Sequence, residues 1–188
     1  MNPNLTIQRL REKLNWKYRE RTSASRVLPE FIIIGAQKAG TTSLFYYLSQ
    51  NPNLAPSIKK EVHYFDGGLD PNQDDFLKGE SWYRAHFQRT KEIQATGIPF
   101  EATPSYLFHP EVPQRINQLI PDVKMLVLLR NPTDRAISHY FHEKRKNREN
   151  LSIKEAFEKE EERLKPILEK CDYKNPGFFR YSYKLRGH

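Results

Sequence analysis

Three groups of residues in this chain have the types and spacing to do chemistry. The first is Gly35-Ala36-Gln37-Lys38-Ala39-Gly40-Thr41-Thr42, which follows an apolar run and precedes a helical pattern. Backbone N–H groups at such a loop, added to a helix N-terminus, make an anion site, and phosphate is the natural ligand. The Gly-x-x-x-x-Gly spacing matches a P-loop, but Thr41 stands where a nucleotide triphosphatase places its Lys. The cation here is Lys38, inside the loop, with the hydroxyls of Thr41 and Thr42 beside it. The second group is Arg130, whose forked guanidinium at a strand end suits a phosphate, with Ser138 one helical turn beyond Asp134. The third is Glu61 and His63 within Lys59-Lys60-Glu61-Val62-His63-Tyr64-Phe65-Asp66. In an extended segment, residues two apart face one side, so both side chains could address a single acceptor group. Either can serve as a base, and histidine has the better unperturbed pKa for proton transfer near neutrality.

The elements that must position these groups follow from periodicity. Phe31 to Ile34 reads as a strand buried on both faces, and Leu44, Phe45 and Leu48 form the apolar face of the helix after the glycine loop. Val62–Phe65 and Pro99–Ala102 are short strand candidates, with a Gly/Asp/Asn-rich loop from Asp66 to Glu80 between them. Val112, Ile116, Leu119 and Ile120 share a helical face, and Val123–Leu129 is a second apolar strand. Asn131-Pro132-Thr133-Asp134 carries a cap, a proline suited to the first helical position and an acid at N3, predicting a helix with Ala136, Ile137, Tyr140 and Phe141 inside. Ser152 with Glu155 is a capping-box pattern, and Pro166 is expected to disturb the far end of the helix it opens. Alternating strands and helices predict an α/β fold with a central parallel sheet flanked by helices, a three-layer P-loop-type architecture.

The chain has 188 residues, the size of one compact domain, with 37% hydrophobic and 29% charged residues, which argues against both disorder and a membrane protein. The formal charge is +8, and residues 1–30 hold seven Lys or Arg against three Glu, so that arm supplies half of the excess. The remainder suits a pocket for a polyanionic ligand, and no basic run with interleaved aromatics suggests a nucleic-acid partner. A lone cysteine, Cys171, excludes an internal disulfide and a multi-cysteine zinc site. No segment has the apolar length of a signal peptide or a membrane span, so cytoplasmic residence is the expectation. Residues 1–29 read as a basic amphipathic arm with Ile7, Leu10, Leu14 and Tyr18 at helical spacing. Such a stripe can lie on a membrane or partner, but one so short and narrow is expected to pack on the adjoining domain, residues 30–188.

On its motifs the chain resembles the sulfotransferases that use 3′-phosphoadenosine 5′-phosphosulfate (PAPS). Gly35 to Thr42 is similar to that family's 5′-phosphosulfate loop, and the resemblance implies that Gln37, Lys38, Ala39, Gly40, Thr41 and Thr42 hold this end of the co-substrate. Leu126-Val127-Leu128-Leu129-Arg130-Asn131-Pro132, continuing to Ser138, resembles the family's second signature and gives Arg130 and Ser138 the 3′-phosphate. Lys59 to Asp66 is similar to the segment bearing the catalytic base in heparan sulfate sulfotransferases, so Glu61 is implied as base with His63 as its partner, and Lys38 as a catalytic cation. Glu101-Ala102-Thr103-Pro104-Ser105-Tyr106 resembles a further family segment, except that Ala102 stands where heparan sulfate enzymes usually have Lys; Lys59 or Lys60 is the expected substitute. The resemblance implies transfer of a sulfuryl group to a hydroxyl or amine of a small-molecule or carbohydrate acceptor, without a metal. It also implies a chain shorter than its relatives at the C-terminus, with Tyr181–His188 the start of a further helix and little turnover by these residues alone. The alternatives are a P-loop kinase or NTPase, and a nucleotide-binding fragment without catalysis.

Overall fold

The computed structural model describes residues 3–93 and 97–187. Four strands, β1 (Phe31–Gly35), β2 (Leu54–Pro56), β3 (Ile98–Ala102) and β4 (Lys124–Val127), form one sheet in the order β2-β3-β1-β4. Every pairing is parallel, with Phe31 opposite both Phe100 and Lys124. The helices are α1 (Pro3–Arg21), α2 (Thr41–Leu48), α3 (Gly79–Arg84), α4 (Val112–Leu119), α5 (Pro132–Arg145), α6 (Ile153–Glu158), α7 (Glu160–Glu169) and α8 (Pro176–Arg180).

Alternate residues of β1 point to opposite faces of the sheet, and both faces are covered. Ile32 and Ile34 enter a cluster with Phe65, Tyr83, Tyr106 and the α4 residues Val112 and Ile116. Ile33 meets Phe45 of α2, Phe100 and Ala102 on the other side. A continuous apolar run is what a parallel strand between two helical layers requires, and the expected α/β architecture is the one observed. By contrast β4, equally apolar, is an edge strand whose four residues are exposed, Met125 by 60%.

Several local expectations need correction. Val62–Phe65 is not a strand: Glu61 and His63 have φ of 62° and 59°, and the segment is irregular. Its N–H groups go to side chains and to the β3 end instead of a ladder, as described below. The α5 cap is as expected, Asn131 Oδ1 accepting from Thr133 N at 3.0 Å and Asp134 N at 3.3 Å. Its inner face, however, carries Arg135, His139 and Glu143 beside Ala136 and Tyr140, whereas Phe141 is 51% exposed and Ile137 half-buried. The capping box at Ser152 and Glu155 forms, but the helix it opens ends at Glu158 and not near Pro166, which lies within α7. The buried Glu160 carboxylate accepts from Lys184 N and Leu185 N, which fixes the start of α7. Tyr181–Gly187 is no helix start but a turn ending in a 3₁₀ segment, Leu185–Gly187; His188 lies outside the described residues.

The N-terminal arm is also docked differently. α1 is held by Trp16, edge-on to Trp82 and His86, and by Arg19, which donates to Ala85 O and Phe87 O at 2.5 and 2.7 Å. The stripe expected to pack inward, Ile7, Leu10, Leu14 and Tyr18, is 51 to 58% exposed. A tryptophan ring and a guanidinium reaching two carbonyls outcompete a narrow aliphatic stripe for the docking face, because they satisfy buried carbonyls as well as covering apolar surface.

Candidate active site

The loops that leave the carboxyl ends of all four strands converge on one cavity of about 590 Å³. Parallel α/β sheets bind ligands at this edge, where the chain direction switches, and the volume is that of a small-molecule site. From the loop after β1 come Gln37, Lys38 and Gly40; from the segment after β2, Glu61 and His63; from that after β3, Pro104 and Ser105; and after β4, Arg130. Thr41 and Thr42 of α2 and Ser138 of α5 complete the residues that sequence singled out. Ala39 is the exception: it does not line the cavity, and its N–H donates to Ala36 O at 3.1 Å, closing the loop turn.

The glycine loop is shaped by two different needs. A Cβ on Gly35 would lie 2.7 Å from Leu107 Cβ, so β1 approaches the segment after β3 only without a side chain there. Gly40 takes φ 96° to enter α2, a conformation glycine adopts freely. Lys38 reaches across to α5, its ammonium 3.3 Å from His142 Nδ1. Burial and Lys38 itself hold His142 down to about 4, so its neutral ring can accept from that ammonium. Burial first, then Arg145 and Lys146, lower the Lys38 pKa. Arg130 is exposed and donates to Lys38 O at 3.1 Å, tying the β4 end to the loop. Arg186 hydrogen-bonds the Gln37 side chain.

Glu61 and His63 are brought together without a strand. Glu61 N donates to Ala102 O at 2.9 Å, Val62 N to Thr103 Oγ1 at 3.1 Å and Tyr64 N to the Tyr106 hydroxyl at 2.9 Å. The segment Glu101–Tyr106 is thus the frame on which they hang. That frame is itself anchored by the fully buried Glu101, which accepts from Tyr83 Oη at 2.5 Å and Thr103 Oγ1 at 3.0 Å and which burial pushes up to about 7. Ala102 is buried against Phe45 and Phe100. The cation on Glu61 is Lys60, while Lys59 is exposed.

Electrostatics separate the two candidate bases. His63 Nδ1 lies 2.8 Å from Asp66 Oδ2 and its Nε2 3.6 Å from Glu61 Oε2. Burial would lower His63, but hydrogen bonds to Asp66 and Glu61 outweigh it and raise the ring to about 9, so it is an imidazolium at neutral pH. Burial would raise Glu61, yet the contacts with His63 and Lys60 bring it to about 2. Asp66 is buried, is held low by His63 against its own burial, and also accepts from Ser105 Oγ at 2.5 Å.

Sequence reading missed Asp66 and Ser105 in this array; the spacing Glu-x-His-x-x-Asp was the available signal. It also missed Lys146, Arg148, Lys174 and Arg180, which line the cavity from the α5 exit and the α8 region. They come from two segments well separated in sequence from the glycine loop and from Glu61, and neither segment carries a recognisable motif.

The His63 titration is testable by stability. The folded ring titrates near 9 against an ordinary 6.5, so folding favours its protonated form. The resulting stabilisation is complete below pH 6.5 and is lost as pH rises towards 9. Between pH 7 and 9, where His86 and His142, held to about 3 and 4, stay neutral, the His63 contribution to the unfolding free energy should fall by on the order of 2 kcal/mol, while Glu101, near 7, and Arg186, near 9, shift the total in opposite directions. Asp66→Asn should remove most of that slope and lower the His63 pKa followed by NMR. A His63 ring titrating at or below 6.5 in the intact protein contradicts the array.

Comparison with known proteins gives the family. Residues 28–175 match the family described as the sulfotransferase domain. Over 113 residues the chain is 36% identical to the membrane-associated sulfotransferase kil1 of Dictyostelium discoideum, covering 60% of this chain and 22% of that protein. Over 118 residues it is 40% identical to heparan sulfate glucosamine 3-O-sulfotransferase 3B1 of Homo sapiens, covering 63% of this chain and 27% of that one. The chain thus matches about a quarter of the length of these relatives. The crystal structure of a sulfotransferase from Alicyclobacillus acidocaldarius superposes with a TM-score of 0.61 at 34% identity, over 86% of this chain and 68% of the other. With the family match spanning most of the chain, the protein belongs to the sulfotransferase family.

Proposed function

We propose that this chain carries the donor site and the general base of a sulfotransferase that takes PAPS as donor and an anionic carbohydrate as acceptor. The observation that carries the reading is the convergence of Lys38, Glu61 and His63 on one cavity, with Asp66 buried behind His63. The residues fit such a donor. Loop N–H groups at the start of α2 and the Thr41 and Thr42 hydroxyls suit a 5′-phosphosulfate, and Arg130 and Ser138 on the same wall suit a 3′-phosphate. Lys146, Arg148, Lys174 and Arg180 give the remaining wall a cationic character that favours an anionic sugar chain.

PAPS when bound supplies a sulfuryl group on a phosphate leaving group. Glu61 takes the proton from the acceptor hydroxyl as its oxygen bonds to sulfur, and Lys38 with the loop N–H groups neutralises charge on the bridging oxygen as the sulfur–oxygen bond to the nucleotide breaks, releasing 3′,5′-diphosphoadenosine. His63, held cationic by Asp66 at Nδ1, fixes Glu61 through Nε2.

Calorimetric titration with 3′,5′-diphosphoadenosine, with ADP and with ATP plus Mg²⁺ tests the donor site. The 3′-phosphorylated nucleotide should bind in preference to the other two, and Arg130→Ala should weaken it by at least about tenfold. Preference for ATP, or an Arg130 variant with unchanged affinity, refutes the assignment.

A further inference from the structure

The first helix turns its apolar residues away from the domain that holds it. Trp16 and Arg19 make the docking contacts. At about 100° per residue, Ile7, Leu10, Leu14 and Tyr18 fall within about 80° of arc on the opposite side of α1. They are 51, 57, 58 and 52% exposed, so the stripe is open to water for most of the helix length. Among the described residues only its last member has a polar partner: the Tyr18 hydroxyl accepts from Arg89 Nη1 at 2.9 Å.

Charge is distributed around this stripe in one sense. By the same angular spacing Arg11 borders one side and Lys17, then Lys13, the other, Arg21 falls within the arc at its C-terminal end, and Arg9, Glu12 and Glu20 project towards the docked side. An aliphatic strip bordered by Lys and Arg, with the acids turned away, is the pattern of a helix lying in a bilayer interface: the apolar side chains enter the headgroup boundary, and the long basic stems snorkel to phosphate. Two copies meeting through this face would oppose like charges, at a cost. An anionic surface removes that cost, and residues 1–30 supply half of the formal excess of +8.

We propose that α1 is a peripheral membrane anchor that lays Ile7, Leu10 and Leu14 into the interface of a bilayer rich in anionic phospholipid while Trp16 and Arg19 keep it fixed to the catalytic domain. The surface does not depend on the donor or acceptor assignment, because none of its residues lines the active-site cavity.

Co-sedimentation of the full chain with phosphatidylcholine vesicles, with and without about 30% phosphatidylserine, tests this. Binding should require the anionic lipid and weaken with salt. Leu10→Ser/Leu14→Ser should reduce it at least about tenfold without moving the thermal midpoint, since both side chains are more than half exposed. Absence of binding to anionic vesicles overturns the proposal. So does binding that survives the double substitution, which would reduce the interaction to surface charge. A concentration-dependent dimer that the same substitutions abolish, with no vesicle binding, assigns the stripe to a second copy instead.

Discussion

On the proposed assignment, Glu61→Gln should lower the first-turnover rate of sulfuryl transfer from PAPS to an anionic polysaccharide, with heparan sulfate as the probe and enzyme in excess, by about 10²–10⁴. The amide keeps the shape of the side chain and loses only the ability to take a proton. Affinity for 3′,5′-diphosphoadenosine should therefore stay within about twofold, separating a base from a binding residue. The imidazolium at position 63 cannot accept a proton until it titrates near 9, so the carboxylate is the group with a free acceptor site at neutral pH. A carboxyl at about 2 is a weak ground-state base. It becomes effective only as the attacking oxygen acquires positive character at sulfur, and any acceptor or donor anion that draws Lys60 from Glu61 strengthens it. Because Glu61 is ionised throughout, the rate should show no acid limb from this group above pH 4 and should fall as His63 deprotonates near 9. A mild effect at Glu61 with a severe one in His63→Gln would exchange the two roles.

The sequence disclosed the site in proportion to how local its chemistry is. The glycine loop was legible because its candidate residues are consecutive, between a buried strand and a helix, and the structure puts Lys38, Gly40, Thr41 and Thr42 on the cavity. The Asn131–Pro132 start of α5 was legible for the same reason. Glu61 and His63 do meet at the cavity, but not by the geometry expected of them. No strand exists there, and the two side chains meet because backbone N–H groups of the segment are taken by Ala102 O, Thr103 Oγ1 and the Tyr106 hydroxyl. Such long-range side-chain pairing has no period to detect. Arg135, His139 and Glu143 on the inner face of α5, and the outward stripe of α1, were misplaced because hydropathy ranks residues by transfer from water and ignores specific polar partners. Arg19 docks by reaching two carbonyls, and no pattern of aliphatic residues reports that.

Lys38→Ala should reduce the same first-turnover rate by about 10²–10³, the usual effect of removing one preorganised donor to a developing negative charge. The ammonium is in place before reaction, with His142 Nδ1 3.3 Å away and Arg130 holding the Lys38 carbonyl. Its lowered pKa reflects partial burial among Arg145 and Lys146, a position where an anion is more strongly stabilised than in open water. That crowding gives the expected split between binding and chemistry. On the proposed assignment Arg130 and the α2 N–H groups still hold the nucleotide phosphate, so affinity for 3′,5′-diphosphoadenosine should change by less than about tenfold while the chemical step collapses. Lys38→Arg should rescue little, because its larger planar group cannot present a point charge to one bridging oxygen from a residue at φ 70°. Equal losses of affinity and rate in Lys38→Ala would make Lys38 a binding residue, and the charge on the leaving oxygen would then fall to the loop N–H groups alone.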